Sequence, residues 1–392
     1  VRAPSIFQKA GLVFISILLS LFIAELVLRL IYPAQITYYV WEPDLRHGCK
    51  PDTNYLQGAS YNGLFSIDDY GVRSSGKVNW FKPNLNNHYK NYMCIGGSTT
   101  ECLFLDDAKT WPAQLASAAN ENAGSKVWAV GNIGKSGCVS LDNYIQLKYC
   151  VAQYPAADIV VVMAGLNDLL KTLSRNDFGD NEMQKERLSD EVLRDSVLIR
   201  HGRNLGKTWW RRTALFYLAQ KYYHANKPKG VEWVIVDDKG ESYRQWRSNR
   251  QQATGFIDTL PDLSQTLKVF EDNINLMIDE AARQHKQIKF VNQTAIWKDS
   301  MPETEEALLW MGGVGKYQVE PRHLYYTPGV LRKGLSLYNQ TLQNVCKQRG
   351  VQCIDIDSNL PHDKTIFYDD CHFTEKGAAL VGRIVYEAIK KN

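Results

Sequence analysis

Long apolar runs are scarce in this 392-residue chain. Outside one N-terminal stretch, no segment approaches the roughly 20 apolar residues that a membrane-crossing helix needs. A mean hydropathy of −0.34 agrees and excludes a multi-span membrane protein. An excess of one charge is lacking too. Lys and Arg number 46 against 42 Asp and Glu, a net +4, and no dense basic run is present. No nucleic-acid partner is therefore expected. The eight cysteines contain no CxxC and no Cys/His cluster at zinc spacing, so no structural metal is expected. Gly134-Lys135-Ser136 has Ala129 where a GxxxxGK[ST] loop needs its first glycine, and no GxSxG occurs, which removes the P-loop and the nucleophile elbow. What is present in quantity is apolar residue, 44% of the chain, enough for a packed core and too much for a disordered one.

The one long apolar run lies at the N-terminus. Gly11 to Ala24 carries no charge, and the apolar character extends from Ala10 to Tyr32, about 23 residues. That length crosses a hydrocarbon core of about 30 Å as a helix. Glu25 and Arg29 interrupt it, but at four-residue spacing they share a helix face and can pair, and Arg can snorkel to the interface. Arg2 and Lys9 precede the run, which places the N-terminal side inside the cell. The reading is a signal anchor over residues 1–32. A cleaved signal peptide and a buried soluble helix are the alternatives, the first weakened by the lack of a small-x-small cleavage site. Cys346 and Cys353 are the leading candidates for a disulfide, with two free thiols as the plain alternative. Cys138 and Cys371 are a second candidate pair.

Residues 33–88, rich in Tyr, Asn, Pro and Gly, read as a wrapping segment of loops and short strands. From residue 89 to 392 the texture becomes that of one α/β domain. Apolar runs at 89–97, 126–134, 157–165, 286–294 and 351–357 alternate with helical patterns. Thr110 caps one helix. Leu267, Phe270, Ile274, Met277, Ile278 and Ala281 keep a 3.6-residue repeat, as do Val381, Ile384, Val385, Ala388 and Ile389. Strand–helix alternation implies right-handed crossovers and a mostly parallel sheet with helices on both faces. Ligands bind such sheets beyond the carboxyl ends of the strands. Residues from about 171 to 263 break the alternation and read as an insertion or lid.

Four short blocks sit at the expected strand ends: Gly96-Gly97-Ser98-Thr99-Thr100-Glu101, Gly131-Asn132-Ile133-Gly134-Lys135-Ser136-Gly137, Gly165-Leu166-Asn167-Asp168, and Asp369-Asp370-Cys371-His372. Each alone is weak evidence. Together they supply an acyl-transfer site. Ser98 offers a hydroxyl nucleophile, His372 a general base, and Asp369, three residues earlier, a carboxylate to orient the imidazole. The backbone N–H groups of Ser98 and Gly137 and the Asn167 side-chain amide are candidates for an oxyanion hole.

Order, spacing and strand context of these blocks resemble the SGNH/GDSL hydrolases. The family's Ser, Gly, Asn and His fall on Ser98, Gly137, Asn167 and His372, and its Asp on Asp369. The resemblance covers roughly 89–170 and 286–390. It implies a three-layer α/β/α sandwich with a mostly parallel five-stranded sheet, the flavodoxin-like SGNH hydrolase fold, here with one N-terminal transmembrane helix. It also implies ester chemistry without a metal or other cofactor, on lipids, thioesters or acetylated sugars. Three features depart from the simplest pattern. Gly97 replaces the Asp before the nucleophile, as in membrane-anchored bacterial members, which the YGVR at 70–73 also resembles. Asn167 and Asp369 are 202 residues apart. Asp370 is a rival to Asp369 as orienting group.

The expected function is a membrane-anchored serine ester hydrolase of the bacterial cell envelope, removing acyl or acetyl groups from a glycan or lipid. It would be a single-pass protein of the inner (cytoplasmic) membrane with its catalytic domain on the periplasmic side. An O-acyltransferase acting on an envelope polysaccharide and an idle scaffold subunit of a membrane complex are the alternatives. Trp310, Arg322 and His323 are candidates for lining the substrate pocket. The aromatic and basic stretch at 206–227 reads as a lid helix, with an interfacial membrane helix and a sugar platform as alternatives. Asn292-Gln-Thr and Asn339-Gln-Thr match a glycosylation pattern, and the first is discounted because it falls on a core strand.

Overall fold

The computed structural model describes residues 5–32, 36–85, 90–122, 129–175, 189–202, 208–226 and 240–391. Parts of the expected strand at 126–134, of the wrapping segment and of the insertion lie outside them. The chain forms two compact units, residues 1–38 with 200–230, and residues 39–199 with 231–392.

In the smaller unit, helix α1 (Ile6–Ile31) opens on a capping box. The Ser5 hydroxyl accepts from the Gln8 N–H, and the Gln8 side chain accepts from the Ser5 N–H. Its 26 residues are strongly apolar and none is buried against protein. By length and composition it is a candidate membrane anchor or signal sequence. Glu25 and Arg29 pair as their spacing predicts, at 2.7 Å.

The larger unit contains a six-stranded sheet. Its strands are β1 (Arg73–Ser75), β2 (Tyr92–Gly96), β3 (Val130–Asn132), β4 (Ile159–Met163), β5 (Gln287–Val291) and β6 (Gln352–Ile354), in the order β6-β5-β4-β2-β3-β1. The five strands β2 to β6 are parallel and match the five expected runs. Their order is the doubly wound 2-1-3-4-5 arrangement, and β2 and β4 flank its switch point. The sixth strand, β1, adds antiparallel to β3 from the wrapping segment, which the sequence did not suggest. A three-residue polar strand carries no periodicity to read.

The middle strand β4, IVVVM, is buried throughout, because helices cover both faces and β-branched side chains fill that space. Helix α2 (Ser98–Glu101) follows β2 directly. Helices α3 (Trp111–Asn122) and α10 (Glu375–Lys390) pack together. A second group comprises α4 (Ser140–Ile145), α5 (Leu166–Leu173), α8 (Ser264–Arg283) and α9 (Pro328–Arg349). The helix ends follow local chemistry. Thr110 accepts from Ala113 at the start of α3 as expected. The α9 helix starts on Thr327 with Pro328 behind it and stops at Gly350 in the left-handed region.

Two further elements complete the parts used below: α6 (Ala214–Asn226) in the smaller unit and α7 (Glu241–Gln251) in the larger one. None of the eight cysteines is in a disulfide, so the expected Cys346–Cys353 bridge is not formed; the Cys353 thiol is instead hydrogen-bonded with Cys346. The expected Cys138–Cys371 pair is not formed; Cys371 Sγ instead faces Met311 Sδ at 3.8 Å. Asn292-Gln293-Thr294 is buried throughout, and in the second sequence Asn339 is buried, its side chain bracketing the Gln293 backbone, while Gln340 is exposed.

Candidate active site

The first block leaves β2 through Gly96 and Gly97 and turns at once into α2, so Ser98 stands at the sheet's carboxyl edge. Gly97 packs against the end of the Asn167 side chain. A Cβ there would come within 2.4 Å of Asn167 Nδ2, which reaches across from the end of β4.

The last block folds back beneath Ser98. His372 Nε2 lies 2.8 Å from Ser98 Oγ, and His372 Nδ1 lies 2.6 Å from Asp369 Oδ2. Asp369 is fully buried and uses its other oxygen to accept from the backbone N–H groups of Cys371 and His372. These donors lock the turn that gives Asp and His their three-residue spacing. The imidazole is also held by rings. Tyr368 stacks on it at 5.7 Å between centroids, and Tyr243 of α7 meets it edge-on at 6.4 Å.

Charge states follow from this burial. Burial alone would raise the Asp369 pKa, but the His372 ring and the donors around the carboxylate bring it below its usual range. For His372, burial opposes the cation, yet Asp369, with Asp370 and Glu101 beyond it, outweighs burial and lifts the pKa above its ordinary 6.5. Asp370 is buried and shifted upward, first by desolvation and then by Asp369. It does not touch the imidazole. Its carboxylate accepts from Trp297 Nε1 and from the backbone N–H groups of Trp310 and Met311. Of the two neighbouring aspartates, Asp369 is the one that meets the imidazole.

The second block is gripped from two sides. Glu101, the last residue of α2, is buried and accepts from the Ser136 N–H at 2.7 Å and from the Ser136 hydroxyl. Burial raises its pKa, and the Ser136 donors partly offset that. Asp168, next to Asn167, accepts from the N–H and hydroxyl of Ser140. Gly137 lies between these two anchors at φ +79°, a left-handed conformation that disfavours other residues. Asn167 Nδ2 donates to the Cys138 carbonyl at 2.9 Å. Gly137, Asn167 and Ser98 are thus gathered on one loop framework. Glu101 and Asp168 belong to the blocks read from sequence, but their bracing role has no one-dimensional signal.

The expected pocket residues divide. Trp310 is near the site but buried, and its indole Nε1 donates to Asp369 Oδ2 at 3.0 Å. It braces the carboxylate. Arg322 is exposed at a left-handed turn. His323 pairs with Glu320 at 3.8 Å. Among the described contacts, neither reaches Ser98, His372 or Asp369. Helix α7 was missed. Arg247 donates to the carbonyls of Leu308, Tyr55 and Tyr368, and Arg250 to those of Met311 and Tyr326. These buried guanidinium groups tie together the loops that carry Trp310 and His372.

A family model for GDSL-like lipases and acylhydrolases matches residues 94–380. The chain belongs to that family. By class it is an ester-cleaving acylhydrolase. Solved structures similar to it include an acetylxylan esterase from Geobacillus stearothermophilus (12% identity, 76% of this chain and 94% of that one, TM-score 0.40). Another is an α/β hydrolase enzyme from the metagenome of Lake Arreo, Spain (12% identity, 80% and 98%, TM-score 0.39). A third is a putative lipolytic protein of the G-D-S-L family from Desulfitobacterium hafniense (10% identity, 76% and 99%, TM-score 0.38). No curated protein matches the sequence.

Proposed function

We propose that this acylhydrolase is anchored by α1 in the bacterial inner membrane, with its catalytic unit on the periplasmic side. It removes acyl or acetyl groups from an envelope glycan or lipid. The observation that carries the chemistry is the unbroken hydrogen-bonded series from Ser98 Oγ through both nitrogens of His372 to Asp369 Oδ2. With Nδ1–H donated to Asp369, Nε2 is left to accept the serine proton.

In this reading Ser98 Oγ attacks the ester carbonyl while its proton passes to His372 Nε2. The carbonyl oxygen becomes an oxyanion facing the N–H groups of Ser98 and Gly137 and the Asn167 amide. One such donor is worth about 3–4 kcal/mol. Collapse expels the alcohol, which takes the proton from His372, and leaves an acyl-Ser98. Water then attacks through the same base and releases the acid. The location rests on α1, on the cationic Arg2 and Lys9 before its apolar run, and on the positive-inside rule.

The test uses the full-length protein in detergent with a small activated acetate ester. Ser98→Ala should abolish turnover, and labelling by a serine-reactive phosphonate should require His372. Absence of Ser98 labelling in a folded protein would overturn the reading. Acetyl transfer to an added oligosaccharide in excess of hydrolysis would move the assignment to an acyltransferase.

A further inference from the structure

The smaller unit joins two features that the active site leaves unused. The acidic residue inside α1 is one. Glu25 lies among apolar side chains, and its carboxylate accepts from Arg29, from the Ala214 N–H at 2.9 Å and from the Leu215 N–H at 3.0 Å. Ala214 and Leu215 are the first two residues of α6. A residue of the apolar helix therefore caps a helix nearly two hundred positions away, and Tyr32 meets Tyr217 beside it at 6.4 Å. The second feature is the turn that leads into α6. Trp209 is 80% exposed and Trp210 42%, with Arg211 over the Trp210 ring at 5.0 Å. Further along α6, Tyr222 is 71% exposed.

Helix geometry fixes how deep these groups would sit. Lys9 and Arg29 are twenty residues apart, about 30 Å at 1.5 Å per residue, which matches the hydrocarbon thickness. Their charged ends then reach opposite interfaces. Glu25 is four residues inside Arg29, about 6 Å inward. The start of α6, bonded to Glu25, is held at that same level. Amphipathic helices rest about 5–10 Å into the boundary between headgroups and acyl chains. Exposed Trp and Tyr with neighbouring Arg are the side chains that favour this layer.

We infer that residues 208–226 form an interfacial platform, tethered to α1 through Glu25, whose Trp209–Trp210–Arg211 face is covered by the phospholipid of the outer leaflet. The inference rests on the proposed anchoring by α1. Without a spanning α1, no observation would set the depth of α6. With it, the occupant of the exposed aromatic face follows from the level at which Glu25 holds the turn.

The experiment reconstitutes the full chain into vesicles of phosphatidylcholine with a minority of phosphatidylglycerol. Flotation is measured first, then tryptophan quenching by phosphatidylcholine brominated near the headgroup. Two of the chain's ten tryptophans are at issue. The expected result is flotation of every variant, quenching in the unsubstituted chain, and loss of that quenched component in Trp209→Phe/Trp210→Phe. Glu25→Ala should float equally and lose the same component, because the turn is released. Flotation with identical quenching in the unsubstituted chain and the double variant overturns the platform and leaves the anchor standing. Unchanged quenching in Glu25→Ala overturns the tether. Failure of the unsubstituted chain to float overturns the anchor and the platform together.

Discussion

Trp310 and His372 share one oxygen. The indole Nε1–H donates to Asp369 Oδ2 at 3.0 Å, and the His372 Nδ1 contact, at 2.6 Å, ends on the same atom. A carboxylate oxygen has room for both donors, and with both in place its direction is set. Trp310 is in turn fixed through its backbone N–H to Asp370. The neighbouring aspartates thus act in series. Asp370 positions Trp310, and Trp310 positions Asp369.

Trp310→Phe removes the donor and leaves a smaller aromatic ring against Tyr243 and Trp246. A hydrogen bond to a charged group contributes about 1.5–3 kcal/mol. If half of that is felt in the transition state, kcat falls about four- to twelvefold. KM for a small ester should hardly change, because the indole is buried and its polar edge is turned to Asp369. Steady-state kinetics beside near-ultraviolet circular dichroism separates this from misfolding. A change confined to KM would return Trp310 to the pocket wall.

The imidazole must be neutral to accept the Ser98 proton, and its pKa lies above 6.5 because Asp369 outweighs burial. The acid limb of kcat/KM should therefore lie above pH 6.5, with activity rising as pH rises through it. Stability runs the other way. The raised folded pKa gives a contribution fully present below the unfolded value and lost as pH climbs through the folded one. Asp369→Asn should move the acid limb down and cut kcat by about 10³–10⁴. An acid limb at or below 6.5 in the unsubstituted enzyme would contradict the geometry.

The five parallel strands and the helices beside them could be read from the sequence because their signals are local. β4 is a continuous apolar run, and α8 and α10 keep a helical period. The residues of the four blocks were legible for the same reason, since glycine and strand context mark them. What supports them was not. Helix α7 buries Tyr243, Arg247 and Arg250 on one face, a helical stripe that arginine disguises as solvent-facing polarity. Those guanidinium groups are buried because loop carbonyls surround them, and these come from positions 55, 308, 311, 326 and 368. A pattern read along the chain does not contain such partners.

Glu101 should behave as a positioning residue for the Gly137 loop. Glu101→Ala removes the acceptor of two Ser136 donors and loosens one candidate oxyanion group. Partial loss of a donor worth about 3 kcal/mol predicts a ten- to hundredfold fall in kcat at nearly constant KM. Glu101→Gln retains one acceptor oxygen and should recover most of the activity. Equal damage from both variants would indicate that the charge matters and not the acceptor.

Arg73 holds the wrapping segment to the loop behind the nucleophile. It is buried, pairs with Asp107 at 2.6 Å, and donates to the carbonyls of Leu64, Glu101, Cys102 and Leu105. Arg73→Ala strands those carbonyls and the carboxylate. Breaking such a pair costs about 3–5 kcal/mol, and the partial exposure of Asp107 favours the lower end. Urea unfolding followed by fluorescence should show the midpoint falling. A loss below about 1 kcal/mol, the range of surface pairs, would mean that water replaces the arginine.

Gly97 and Gly137 resist substitution for opposite reasons, and the two alanine variants should differ accordingly. At Gly97 the backbone is extended and tolerates any residue, but the new methyl would meet Asn167 Nδ2 at 2.4 Å. The Asn167 amide must swing away, so Gly97→Ala should lose about 10²-fold in kcat with little loss of stability. At Gly137 nothing lies within 4 Å of a new Cβ, yet φ is +79°. Gly137→Ala therefore carries a left-handed strain of about 1–2 kcal/mol. That strain is relieved by rotating the loop, which misdirects its N–H. Asn167→Ala in the Gly97→Ala background distinguishes the two cases. If the clash with the amide is the whole defect at Gly97, the double variant should be no worse than Asn167→Ala alone. A multiplicative loss would show that Gly97 also serves Ser98 directly.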